Sequence, residues 1–169
     1  GFARLRAWEE VNKLPHLPQR IEHVQIIAPE DQPRLKALGV IASMQPLHAT
    51  SDMFTADHHW GARSANAYAL NSLLQLGTLL IFGSDAPVES ANPFLGLHAA
   101  LTRRRVSGEP GEEGWYPRQR IPLVQALNAY TSSPARSCGL GGSLGCVAVG
   151  YRADLTVLPR SPFLIDPHD

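Results

Sequence analysis

Leu79-Leu80-Ile81-Phe82-Gly83-Ser84-Asp85-Ala86-Pro87-Val88-Glu89 runs four apolar residues straight into a Gly-Ser-Asp-Ala-Pro turn. The apolar run is short and follows Gly77, so it reads as a buried strand that delivers Asp85 at its C-terminal end. A carboxylate in that place has two readings. It can cap the following turn through the nearby backbone. Alternatively it is a metal ligand or proton acceptor, because a buried carboxylate needs a cation or several donors.

Working outward, the same pattern recurs twice upstream. Val40-Ile41-Ala42-Ser43-Met44 reads as a buried strand ending at Gln45-Pro46, followed by a loop with His48, Asp52, Asp57, His58 and His59. Before it, after Pro15 and Pro18, Arg20-Ile21-Glu22-His23-Val24 reads as a shorter apolar run. Pro29-Glu30-Asp31 suits the first turn of a helix that stops at Gly39, a second helix is expected over 64–76, and a third starts near Pro93. Strand, loop and helix therefore alternate three times, which predicts an α/β fold with a parallel sheet and helices packed on it. His23, His48 and Asp85 all fall at or just after a strand C-terminus, where such sheets carry ligands and catalytic groups. Taken alone, His23 also reads as a hydrogen-bonded core histidine, and the pair His58-His59 as solvated.

The chain has 169 residues, 44% of them hydrophobic, which is enough for one ordinary globular core. Lys+Arg and Asp+Glu stand at 15 each, so no bulk charge favours nucleic acid or an anionic membrane. No apolar run approaches the ~20 residues of a membrane span and no signal segment opens the chain, which points to a cytoplasmic protein. Cys138 and Cys146 flank a Gly-rich stretch over 139–145 and read as free, buried thiols. That stretch lacks the lysine and the order of a phosphate-binding loop and reads as a connector. Residues 2–13 read as the tail of an amphipathic helix, with Leu5, Trp8 and Val11 on one face, as if the chain began inside a unit. Arg103-Arg104-Arg105 reads as a solvated basic run at a helix end.

Three motifs together, Arg20-Ile21-Glu22-His23, Ser43-Met44-Gln45-Pro46 with His48 and Asp52, and Phe82-Gly83-Ser84-Asp85-Ala86-Pro87-Val88, resemble the amidohydrolase superfamily. More narrowly the chain resembles the amidohydrolase family 3 branch, which includes N-substituted formamide deformylases. Further matches lie in residues 93–103, in Ala126-Leu127-Asn128-Ala129-Tyr130-Thr131 and in 150–158. The resemblance implies a metal-dependent hydrolase that cleaves carbon-nitrogen bonds of non-peptide amides with metal-activated water. It implies that His23 ends strand six of a (β/α)8 barrel as a metal ligand. Asp85 ends strand eight, both touching the metal and acting as general base or acid. His48, after strand seven, is implied near the small-molecule substrate, and the expected cofactor is a divalent metal, zinc first. Neutral His23 would donate its second ring N–H to a backbone or carboxylate partner. Glu22 is a poor candidate, because adjacent strand residues point to opposite faces.

The departures from the family pattern are equally specific. No His-x-His occurs in the sequence, and the residues expected on strands one to five have no counterpart. The resemblance thus supplies two protein ligands where a zinc site has three, and the isolated chain is expected to be an inactive C-terminal portion, or a non-catalytic fragment or interaction module. Residues 1–138 would form about strands six to eight of the barrel. Residues 139–169 would form part of a small β-sandwich, with strands over 146–149 and 154–158 bracketing the turn Gly150-Tyr151-Arg152 and Asp154 reading as a turn residue and not a catalytic one. Before them, 120–127 reads as a helix and Ser133-Pro134-Ala135 as a helix start with proline at its first position. Three strands of an eight-stranded barrel leave an open edge, so a homo-oligomer or a missing N-terminal half is expected to cover it.

Overall fold

The computed structural model describes residues 1–13 and 18–168; Pro15, where the sequence reading set the first break, lies outside them. The three apolar runs become β1 (Arg20–Glu22), β2 (Ile41–Met44) and β3 (Leu80–Phe82) in one parallel sheet of order β1-β2-β3. Ile21 pairs with Ala42, and Met44 with Phe82, so the C-terminal ends of all three strands lie side by side. Every residue of β2 and β3 is buried, as expected of strands covered on both faces, whereas Arg20 and Glu22 of β1 are exposed.

Around the sheet stand α1 (Phe2–Val11), α2 (Gln32–Ala37), α3 (Pro46–Trp60), α4 (Leu70–Gln75), α5 (Pro93–Thr102), α6 (Leu123–Tyr130) and α7 (Ser132–Ser137). Helix α2 packs on β2, and α4, α6 and α7 on β3, while α5 bridges α3 and α6. The main core joins Val40, Ala42, Met44, Leu70, Leu73, Phe82, Leu97 and Ile121. Each large side chain buried there contributes about 1.5–3 kcal/mol relative to exposure. No helix among the described residues is long and apolar enough to cross a membrane.

Several local expectations change. The segment after Pro46 is a helix of 15 residues and not a loop. Pro46 occupies its first turn, and Ala49, Met53 and Ala56 recur at the 4,3 spacing that buries one helical face, while His58 and His59 stay exposed. The helix expected over 64–76 is split. Gly61–Asn66 is a 3₁₀ turn, Ala67 bridges antiparallel to Ile26, and α4 starts only at Leu70. The Tyr68 backbone N–H is drawn to Gln25 O at 3.0 Å, a tertiary bond that competes with helix. Helix α2 begins at Gln32, because Pro29 to Asp31 form a turn, and it stops at Gly39, whose φ of +61° suits glycine. Helix α6 starts after Pro122, whose ψ of 149° is extended, and Thr131 rather than Ser133 flanks α7. Leu5, Trp8 and Val11 of α1 are not covered by the described residues. The strands expected over 146–149 and 154–158 are absent among the described residues, and Val147, Val149 and Val157 are exposed. A strand without a paired neighbour has no ladder to satisfy its backbone. Cys138 and Cys146 are free as expected, but exposed and not buried, at either end of the Gly-rich stretch over 139–145.

The basic run is the largest surprise. Arg103 is fully buried, not solvated: it ends α5 in a left-handed conformation and turns its guanidinium inward. Nε donates to Trp115 O at 2.9 Å and Nη1 to Tyr68 O at 3.2 Å, with the guanidinium 4.9 Å from the Trp115 ring centroid. A second cluster of Ala49, Met53, Ala56, Ala67, Tyr68 and Trp115 packs around this point. Burial lowers the guanidinium pKa to about 9, which leaves it charged at neutral pH. Arg103→Ala should leave the Trp115 carbonyl without its donor, the Tyr68 carbonyl with only the Leu70 N–H, and a cavity where the side chain was, at a combined cost of about 3 kcal/mol. Thermal unfolding followed by circular dichroism should show a fall in Tm of about 6–12 °C, and an unchanged Tm would remove Arg103 from its structural role.

Candidate metal centre

Three side chains from three strand ends converge at one edge of the sheet. His23 follows β1 directly, His48 lies in the first turn of α3 after β2, and Asp85 is three residues beyond Phe82 at the end of β3. One ligand atom from each lies within 4.8 Å of the others. His48 Nε2 and Asp85 Oδ2 are 3.9 Å apart, and the two imidazoles stand nearly parallel, with centroids 5.7 Å apart and planes at 20°. Three ligands each about 2.0–2.2 Å from a tetrahedral zinc-sized ion stand about 3.5 Å apart, so a small inward movement of these side chains would close the cluster on an ion. Among the described residues this is the one group of three or more His, Cys, Asp or Glu side chains with that geometry.

The backbone is bent to achieve this. His23 donates its N–H to Ser43 O at 2.6 Å, as the next rung of the β1–β2 ladder, but its φ is 68° and that of Val24 is 42°. Asp85 has a φ of 56°. Left-handed conformations cost non-glycine residues about 1–2 kcal/mol each, and most for β-branched valine, so the surrounding contacts must enforce them. Val24 is buried in the main core, which anchors the turn that presents His23. The turn after β3 closes through the Asp85 carbonyl, which accepts from Val88 N at 2.8 Å. The carboxylate itself is thus left toward His48.

Electrostatic and hydrogen-bond partners then define what each group can do. His23 Nδ1 is 2.9 Å from Gln45 Oε1. An amide oxygen only accepts, so Nδ1 carries the proton and Nε2 keeps its lone pair for a ligand. The partner is therefore a side-chain amide, neither backbone nor carboxylate as anticipated. Glu22 is engaged elsewhere, with Arg20 Nε. Burial acts to raise the Glu22 carboxyl, but bonds from Ser43 and Arg20 and the nearby positive charges outweigh it and hold it below its ordinary value. His48 Nε2 is buried and lacks any hydrogen-bond partner among the described residues. A buried polar nitrogen without a partner is costly, and a cation at the cluster would satisfy it.

A second tier fastens this edge. Gln25, two residues beyond His23, donates to Asp52 Oδ2 at 3.0 Å and to Tyr68 Oη at 2.8 Å, and Tyr68 Oη also donates to Asp52. Asp52 lies one turn beyond His48 on α3, so the network ties that helix to the turn after β1. Burial, then the bond to Asp52, pushes the Tyr68 phenol well above its ordinary pKa and keeps it a donor. Asp57 accepts from Trp115 Nε1 at 2.9 Å and from Ser64 Oγ at 2.6 Å, a structural duty away from the cluster. His58 and His59 meet edge to face, with ring centroids 4.7 Å apart and planes at 80°, and stay outside the cluster. The roles of Gln45, Gln25 and Tyr68 were not read from the sequence. Only the position of Gln45, just beyond a strand end, could have flagged it.

A parallel α/β sheet with two imidazoles and a carboxylate gathered at its strand C-termini defines the class: a fold of the metal-hydrolase kind. The chain belongs to the amidohydrolase family, whose model matches residues 2–169, and its relatives agree with the family 3 branch. It is 33% identical over 149 residues to YtcJ of Bacillus subtilis, covering 88% of this chain and 28% of that protein. It is 27% identical over 145 residues to the N-substituted formamide deformylase of Arthrobacter pascens, covering 85% and 26%. Among solved structures it resembles an uncharacterized metal-dependent hydrolase from Pyrococcus horikoshii OT3 with a TM-score of 0.76 and 28% identity, covering 94% of this chain and 32% of that one. The chain thus spans about a quarter to a third of the length of these relatives.

The tautomer assignment is directly testable. ¹⁵N imidazole shifts at pH 8 should report a protonated His23 Nδ1 in the wild type. Gln45→Ala should shift that population toward the Nε2–H form, because the amide acceptor that holds the Nδ1 proton is gone. Identical spectra would remove Gln45 as the positioning group.

Proposed function

We propose that this chain supplies His23, His48 and Asp85 to the divalent-metal site of a hydrolase that cleaves carbon-nitrogen bonds in non-peptide amides of small molecules. The observation that carries the reading is the convergence of three ligand atoms within 4.8 Å, one of them the buried and unpartnered His48 Nε2. Two imidazoles with one carboxylate suit zinc. His48, anticipated near the substrate, is assigned here as the third ligand that the sequence resemblance did not supply. In this reading β1, β2 and β3 are about strands six to eight of a (β/α)8 barrel, residues 1–138 belong to it, and 139–169 belong to a small β-sandwich.

A zinc-like ion, when bound, polarises the scissile carbonyl and makes water more acidic. The protein's own groups do the rest. Gln45 holds the Nδ1–H of His23 and so aims its Nε2. The Asp85 carboxylate, which is partly exposed at the open side of the cluster, accepts the proton lost by the attacking water and returns it to the leaving nitrogen. The Gln25–Asp52–Tyr68 network keeps α3, and with it His48, in register with the turn after β1.

A second reading, a non-catalytic fragment or interaction module, is favoured by the exposure of His23 and Asp85 and by the outer edge of β1, which pairs with no other strand among the described residues. Metal analysis separates the two. The purified chain should bind about one zinc per chain, with affinity falling about a hundredfold or more in His23→Ala, His48→Ala and Asp85→Ala, and about tenfold in Gln45→Ala. Oligomeric mass measured alongside tests whether a second copy covers the sheet edge. A chain that binds no metal would leave the fragment reading, and a His48→Ala variant that binds as tightly as wild type would return His48 to the substrate side.

A further inference from the structure

At the opposite end of the sheet, where β2 and β3 begin, a pocket of about 350 Å³ opens between α1, α2 and α7. Its walls include the strand starts Val40, Ile41 and Leu79, so it is separated from the His23 cluster by the length of the strands. The volume lies at the lower end of the roughly 300–1,000 Å³ usual for small-molecule sites.

Its lining has one sign of charge. Arg6 from α1, Lys36 from α2 and Arg136 from α7 reach it, and no Asp or Glu is among the described residues that line it. Glu9, the carboxylate one turn along from Arg6, is buried and accepts from Gln19 Nε2 at 3.4 Å, and it does not line the pocket. The Arg6 guanidinium lies over Gly39, where any Cβ would stand 2.7 Å from Nη2, and the Lys36 stem packs over Gly77 at 3.6 Å from the equivalent point. Both glycines have positive φ, +61° and +76°, so these close approaches are built on positions that disfavour side chains. The Arg6 Nε is buried with no hydrogen-bond partner among the described residues. Three cations brought together with no Asp or Glu among the described lining residues repel one another, and a buried N–H without an acceptor is costly.

We infer that this pocket binds a phosphate-type oxyanion, either free phosphate or a phosphate monoester. Such an oxyanion, with a charge of about −1.5 to −2 near neutral pH, offsets most of the three positive charges and supplies the acceptor that Arg6 Nε lacks among the described residues, with guanidinium forks matching its oxygens. This site is independent of the metal reading.

The test is a calorimetric titration of the chelator-treated full chain with inorganic phosphate at constant ionic strength, with Tm measured in parallel. Saturable binding and a rise in Tm that chloride does not reproduce are expected. Lys36→Gln and Arg136→Gln should each weaken binding about fivefold or more, the double variant should abolish it, and His23→Ala should leave it unchanged. Lys36 and Arg136 are both exposed, so these substitutions spare the core, and circular dichroism checks that they do. Equal effects of phosphate and chloride would overturn the inference, as would a double variant that binds like wild type. Loss of binding in His23→Ala would move the anion to the other end of the sheet, and acetate binding as tightly as phosphate would replace it with a carboxylate.

Discussion

The hydrogen bond from His23 N to Ser43 O, at 2.6 Å, is the constraint on which the candidate site depends. It extends the β1–β2 ladder by one residue after the strand has ended and while the chain is already turning into left-handed conformation at φ 68°. Without that rung, the imidazole would follow the strand direction and its place beside His48 would be lost. The parallel register does the remaining work. Because Ser43 pairs with both Glu22 and Ile81, the exits of β1, β2 and β3 lie side by side. Residues separated by up to 62 positions in the chain, His23 and Asp85, then meet within 4.8 Å.

The strain at His23, Val24 and Asp85 is held by burial nearby. Val24 sits in the main core, and β2, the central strand, is buried throughout. On the other side of α3, the Arg103 guanidinium fastens Tyr68 and Trp115, and Tyr68 in turn bonds Asp52 on the same helix that carries His48. A buried cation that satisfies backbone carbonyls is thus two contacts away from the helix that carries a candidate ligand. Removing such a group costs most where its acceptors have no water to turn to.

Family membership and geometry bear on different parts of the molecule. The family model spans residues 2–169, yet the chain covers only 28% of YtcJ and 26% of the formamide deformylase. Among the described residues the outer edge of β1 pairs with no other strand, and apolar residues over 147–165 such as Val149, Val157 and Leu164 are exposed. The cluster of His23, His48 and Asp85 needs no such contact to assemble, since its three supporting strands pair with one another.

Much of this was legible in the sequence for a simple reason. Apolar runs at 40–44 and 79–82 can be satisfied only as buried strands, and polar residues just beyond them must emerge at strand ends. His23, His48 and Asp85 were readable on that ground, as was the stop at Gly39. Local patterns misled where tertiary bonds compete with them. The Gln25 carbonyl takes the Tyr68 N–H and breaks a helix, and the buried Arg103 reads as a surface charge in any one-dimensional pattern. The histidines and aspartates of α3 obscured the spacing of Ala49, Met53 and Ala56 that makes it a helix. By itself the sequence determined the alternating α/β order, the family and the three residues that strand ends present. Only the tertiary structure decided that His48 stands with His23 and Asp85, that Gln45 sets the His23 tautomer and that Arg103 lies inside, because distances across the sheet and burial are properties of packing that residue order does not encode locally.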